Sequence, residues 1–497
     1  VNAPGWELTW VVSAGGPQTN FEQGNECVLL EDGSSIVAGK VMEQAVVAPE
    51  SDNPIHTQDF GFEDVLLARL DPGGNPSWVR TAGAAGCDDA RKMALAPDGG
   101  VLVVGYVEGE PVFAAGEPEE TVLPELGCRD IFLARYDLDG RLEWIASAGG
   151  ESTSSYGTSV AVMGDGSVAV GGIFYGVDTG DGPGTSVAFG QGTSTETVLE
   201  TSGGRDGVLA RYSSDGELEW AILGCVGGGD DTVRGLASDG DSVYAMGRFE
   251  GEAVCEGRSG NKEILTAKGG SSFFFAKYSG GGDLLWARDL GVDGEVSTRC
   301  VQKSVEVLAN GDVAVTAEYI GTMPAGLDGN LQPVGQTDNG QMKTIFLGRY
   351  TSSGDTVWVA TAHGTLFIPS EEQDWEGEDL AELDDGTIVL VGLHGAPTVF
   401  GEGEENETVL EGRNTDGFIA LYRSTGHLEW AIGQQGEGET WTMGVDARQD
   451  SILATGMFTG KGVFGTGTAD SVELETAGGM DMFVMRLNRA DTPVIPK

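Results

Sequence analysis

The sequence predicts an all-β fold: a single seven-bladed β-propeller of four-stranded antiparallel blades over residues 1–488, its ring closed by the N-terminal strand completing the last blade, followed by a C-terminal tail at 489–497. Three observations predict it. A tryptophan recurs in a common frame, as in LTWVVSAGG, LEWIASAGG and LEWAIGQQG, giving Trp10, Trp78, Trp144, Trp220, Trp286, Trp358 and Trp430. The copies are roughly 70 residues apart with no helical period between them, which is the mark of blades or a solenoid. Six of these strands follow a second repeated strand, as in DVLLARLD and DIFLARYD, and each repeat carries two further apolar runs about an Asp-Gly or Asn-Gly turn. The last copy of the second strand, DMFVMRLN at 481–488, has no Trp strand after it, and the first Trp strand has none before it. The two leftovers complete each other, which would remove an exposed sheet edge.

We label the strands of each repeat A to D in chain order, with A innermost and lining a channel and D, the Trp strand, outermost. The Trp side chains are then expected between neighbouring blades. A basic residue recurs on strand C at Arg69, Arg135, Arg211, Lys277, Arg349 and Arg486, broken by Leu421. In so acidic a chain an ion pair with a nearby carboxylate is its expected role.

Composition excludes several function classes. The chain holds 78 Asp and Glu against 28 Lys and Arg, a net charge of −50. That field repels phosphate backbones and anionic membranes, so neither nucleic acid nor membrane insertion is expected. No run of about 18 apolar residues exists to span a bilayer. No CxxC pair is present and histidine numbers only four, which argues against a zinc site.

The frame DIFLARYDLDGRLEWIASAGG at 130–150, followed by VAVMGDGSVAVGG at 160–172, resembles the bacterial seven-bladed β-propeller (SBBP-type) repeat of secreted proteins and surface lipoproteins of myxobacteria. The resemblance runs over essentially the whole of 1–488. It implies a propeller and an extracellular or cell-surface location, any signal or lipoprotein anchor being absent from this chain. It implies no catalytic residues.

The A–B and C–D turns are short and regular. The D–A and B–C connections on the other face are long and irregular, and variable loops on a rigid scaffold are where function concentrates. The B–C extensions, such as FGQGTSTETVLE at 189–200, are expected to prolong strands B and C as a hairpin. Trp375 and Trp441 depart from the repeat and fall in the D–A connections entering the sixth and seventh repeats, with Phe21 beside them across the closure. Together with Asp374, Glu376 and Glu439 they form a candidate ligand surface, because an indole beside acidic groups suits stacking on a sugar or anchoring a protein. Plugging the channel mouth or packing under the long loops is the competing role. Glu371, Glu372, Asp374, Glu376, Glu378, Asp230 and Asp231 are candidate ligands for Ca²⁺, which takes six to eight oxygens. The same carboxylates also read as a solvated rim. Cys225 with Cys255, and Cys87 with Cys128, are candidate disulfides on the long-loop face, each within one repeat.

The function expected is an exported, non-enzymatic binding, adhesion or surface-scaffold protein. It would engage a glycan or a surface protein through the long-loop face, with calcium assisting, within a larger surface assembly. The alternative is a polysaccharide-acting hydrolase or lyase. No nucleophile motif accompanies His56, His363, His394 or His427, and the abundance of acids makes paired carboxylates uninformative.

Overall fold

The computed structural model describes residues 3, 5–17, 21–177, 185–296, 304–326, 332–334, 343–364, 376–395, 397–412, 415–468 and 470–490. Among the described residues every regular element is a β-strand. The arrangement is propeller-like. One unit shows how a repeat is built. Val101–Val107 pairs with Asp89–Leu95 on one side and Asp130–Tyr136 on the other, and Leu142–Gly149 follows. Val101–Val107 is buried along its whole length, because apolar side chains leave both of its faces for neighbouring sheets. One such interface packs Ile36, Ala38 and Leu67 against Met93, Val103 and Phe132.

Two irregularities recur and set the side-chain directions. Strand D bulges opposite the basic residue of strand C, so Arg135 faces Trp144 while Tyr136 faces Leu142. The same shift occurs at Arg69/Leu70, Arg211/Tyr212, Lys277/Tyr278 and Arg349/Tyr350. The innermost strands also bulge, between Gly24/Glu26, Ala90/Lys92, Gly157/Ser159 and Gly377/Asp379. A bulge re-aims the residue that follows it.

The expected closed ring of seven uniform four-stranded blades does not stand. Hydrogen bonding divides the described strands into eight sheets of seven, two, six, four, four, five, eight and four strands. Only three sheets are four-stranded; five have four to six strands, two are larger, and one is a separate hairpin. The N-terminal strand Trp6–Gly15 pairs antiparallel with Val472–Arg489, Trp6 opposite Arg489 and Ala14 opposite Met482. It is not a closing edge, however, because Val46–Val47 and Ile55–His56 continue the sheet on its far side.

The B–C extensions account for the unequal sheets. They prolong strands B and C as expected in Ser242–Glu256 with Lys262–Ser279 and in Ser451–Phe464 with Val472–Arg489, and strand B of the fifth repeat runs on through Val313–Ala325 to pair with Gln332–Val334. Elsewhere the hairpin folds back onto the outer strand of the preceding repeat, pairing Ala148 with Phe189 and Ala362 with Phe400. Strand D is therefore often not outermost. Periodicity reveals such a hairpin but not which neighbour will supply its hydrogen bonds.

Candidate functional site

The short-turn face is taken up by structural contacts. Each indole of Trp10, Trp78, Trp144, Trp220 and Trp358 donates to a backbone carbonyl in the C–D turn of the next repeat, namely Pro72, Leu138, Ser214, Gly280 and Ser424, at 2.9–3.1 Å. The basic residue of strand C pairs with an Asp of its own A–B turn: Arg69 with Asp32, Arg135 with Asp98, Lys277 with Asp239 and Arg349 with Asp312, at 2.6–2.8 Å. These pairs fill the role expected of the basic series.

The innermost strands surround a cavity of about 380 Å³ lined by segments 26–28, 92–95, 159–162, 236–238, 304–307, 379–382 and 445–447. The bulges described above turn Glu26, Lys92 and Asp379 into it from three different strands. Lys92 Nζ lies 2.6 Å from Glu26 Oε2 and 2.9 Å from Asp379 Oδ1. Glu26 Oε1 accepts from the Cys27 amide at 3.0 Å, and Asp379 Oδ2 from the Val445 amide at 3.0 Å. One ammonium therefore struts three repeats across the middle of the molecule.

A single lysine cannot neutralise every carboxylate here. Burial, with Asp379 beside it, pushes Glu26 up to about 8, although Lys92 opposes the shift. Burial and the carboxylates of Asp446, Asp379 and Glu382 push Glu306 up to about 8. Burial alone would lower Lys92, but Asp379 and Glu26 more than reverse this and keep it charged. The site is a buried acidic well with a central cation. Among the described residues no group of three or more His, Cys, Asp or Glu side chains is placed to hold a metal ion.

Of the ligand candidates singled out from sequence, the described Phe21, Asp230, Asp231, Glu378, Glu439 and Trp441 are buried or half-buried. Glu371, Glu372, Asp374 and Trp375 lie outside the described residues, and Glu376 opens the strand Glu376–Glu382. Trp441 lies on the strand Thr440–Arg448 opposite Met457, half-buried, with a buried Nε1 that has no acceptor among the described residues. It is not an exposed loop indole. Phe21 is half-buried under the Lys40 ammonium, 4.7 Å from the ring centroid. Glu439 is held by Thr459, whose hydroxyl accepts from its amide at 2.8 Å.

Asp231 is fully buried rather than on a rim. It accepts from the backbone amides of Gly227 and Glu250, and burial pushes it up to about 6. Asp230 accepts from the Arg205 amide at 3.1 Å, and Glu378 is buried. Cys225 and Cys255 form a disulfide that ties Cys225–Gly227 to the prolonged strand Ser242–Glu256. Cys87 and Cys128 are free thiols instead of a second staple, Cys87 half-buried and Cys128 exposed. The sequence pattern does not single out Lys92.

No family model matches the chain. It is 25% identical over 424 residues to the regulatory protein FlaEY of Caulobacter vibrioides, covering 79% of this chain and 39% of that protein. The chain thus spans well under half of that relative's length. Among solved structures it is similar to a protein of unknown function from Dyadobacter fermentans, with a TM-score of 0.42 and 11% identity, over 98% of this chain and 100% of that one.

Proposed function

We propose that this protein is an exported, non-enzymatic binding or surface-scaffold protein whose long-loop face engages a glycan or a surface protein, in the manner its resemblance to SBBP-type repeats implies. The observation that carries this reading is the division of labour between the two faces. On the short-turn face the tryptophans latch neighbouring repeats together, and the strand-C cations are paired with their own A–B turns, Arg69, Arg211 and Arg349 also reaching the next repeat. On the other face the B–C hairpins also bridge repeats, as where Ala148 pairs with Phe189 and Ala362 with Phe400, whereas the D–A connections are irregular in length and sequence. The Cys225–Cys255 disulfide supports export, since such bonds persist in oxidising compartments.

The central carboxylates do not favour the hydrolase or lyase alternative. Glu26 and Asp379 share one lysine, whereas glycoside chemistry needs an acid and a base flanking a bond. A glycan array probed with the purified protein, in calcium and again in chelator, tests the proposal. Binding lost in chelator supports a calcium-assisted lectin-like face. Absence of glycan binding in both conditions removes the glycan ligand, and failure to capture surface proteins as well would remove the binding role.

A further inference from the structure

A second cavity, of about 200 Å³, lies on the long-loop side between the sixth and seventh repeats, lined in part by His394, Val409, Leu410, Ile432, Gly433 and Gln434. Two departures from the repeat meet in it. The residue that ends strand B is apolar or aromatic elsewhere: Val41 opposite Asp64, Val107 opposite Asp130, Phe174 opposite Asp206 and Phe458 opposite Asp481. In the sixth repeat it is His394, opposite Asp416 and only 1% exposed. The strand-D position facing the third residue of strand C carries Ser13, Thr81, Ser147, Leu223, Asp289 or Thr361 elsewhere. In the sixth repeat it is Gly433, opposite Phe418. A Cβ on Gly433 would come to 3.4 Å from His394 Nε2 and 3.8 Å from Leu410 Cδ1, which is ordinary packing distance. The backbone there does not require glycine for close approach. Its absent side chain leaves the space.

The chemistry of the walls defines an occupant. Val409, Leu410 and Ile432 are aliphatic. Gln434 is 1% exposed, and its Oε1 has no donor among the described residues. The Thr466 hydroxyl donates to the Gly433 carbonyl, leaving its own lone pairs as acceptors. Glu411 is exposed and contributes a negative charge to the lining. We propose that this cavity is a binding site for a small neutral molecule with an apolar ring and one hydroxyl, the ring against the aliphatic wall and the hydroxyl donating to a buried acceptor. Carboxylates are excluded by Glu411 and by the acidic field of the chain. A cavity of this volume accommodates about eight non-hydrogen atoms, for which affinity in the millimolar range is expected.

The site is independent of the glycan or protein surface proposed above. The test is saturation-transfer NMR on the full chain with benzyl alcohol and, separately, benzoate. Benzyl alcohol should show saturation that falls at least fivefold in His394→Phe and in Gly433→Thr, each of which installs a residue type that other repeats carry at that position. Benzoate should show none. Circular dichroism must match wild type in at least one variant for the comparison to count, and Gly433→Ala is the milder replacement if both unfold. No saturation by benzyl alcohol in the wild type, equal saturation by benzoate, or retention of binding in the folded variants would each overturn the proposal.

Discussion

Arg69 and Trp78 converge on one acceptor: the guanidinium Nη1 and the indole Nε1 both donate to the Leu138 carbonyl, at 2.9 and 3.0 Å. That carbonyl lies in the C–D turn of the following repeat. The arrangement recurs with Arg211 and Trp220 on Gly280, and with Arg349 and Trp358 on Ser424. The glycine of the turn sits against the indole face, which is why it is glycine. A Cβ on Gly140 would come within 2.9 Å of Trp78, and its φ is +78°.

Removing one arm of this latch should cost a predictable amount. Trp78→Phe keeps an aromatic ring but removes the pyrrole part of the indole with its one hydrogen bond, the bond alone being worth about 1 kcal/mol. Gly140→Ala adds both a left-handed strain of roughly 1–2 kcal/mol and the clash with the indole. Thermal unfolding should therefore rank wild type above Trp78→Phe and Trp78→Phe above Gly140→Ala. A neutral Gly140→Ala would contradict the packing described.

Lys92→Met should destabilise more at pH 8 than at pH 5. Stripping the cation leaves Glu26 and Asp379 buried without a counter-charge, at roughly 3–5 kcal/mol if they stay ionised. At the lower pH the carboxyl of Glu26, already raised to about 8, carries its own proton and needs no partner. Denaturant midpoints at the two pH values check this, and an equal loss at both would argue against the strut.

The protein as a whole should lose stability as pH rises from about 5 to 8. Burial raises Glu22 to about 8 and both Asp64 and Asp88 to about 7. A carboxyl whose folded pKa lies above its unfolded value binds more protons in the folded state, so its contribution is complete below the unfolded pKa and disappears as pH passes the folded one. Asp32, Asp98 and Asp165 are lowered, chiefly by hydrogen bonds from their own turns, and work oppositely, weakening the fold only at strongly acidic pH. A melting temperature highest near pH 5, with the alkaline slope reduced in Glu22→Gln, is the expected result.

Reduction should release one staple among the described cysteines. Cys225 and Cys255 are 30 residues apart, and opening a loop of that size costs about 3.6 kcal/mol. Under native, non-reducing conditions an alkylating reagent should label exposed Cys128 readily and leave buried Cys27 unmodified. Peptide mapping that finds a Cys87–Cys128 bond would refute this assignment.

The sequence by itself determined the strands. The Trp frame, the Asp-Gly turns and the basic position of strand C specify local conformation and alternation, and these depend on neighbours along the chain. It offered Cys225–Cys255 and Cys87–Cys128 on the same ground, that each pair lies in the connections of one repeat, and only the first is bonded in the structure. What only the tertiary structure decided is which strands share hydrogen bonds and which polar groups meet. A short B–C hairpin has two neighbours with which it can pair, and the choice made at Phe189 and Phe400 turned uniform units into unequal sheets. Trp430 shows the same limit: it fits the frame, yet its indole meets Trp6 edge-on and its Nε1 has no acceptor among the described residues. Glu26, Lys92 and Asp379 lie far apart in sequence, and no local pattern brings them together. Their contact arises only when innermost strands from separate repeats face one another across a common cavity, where burial makes each charge depend on the others.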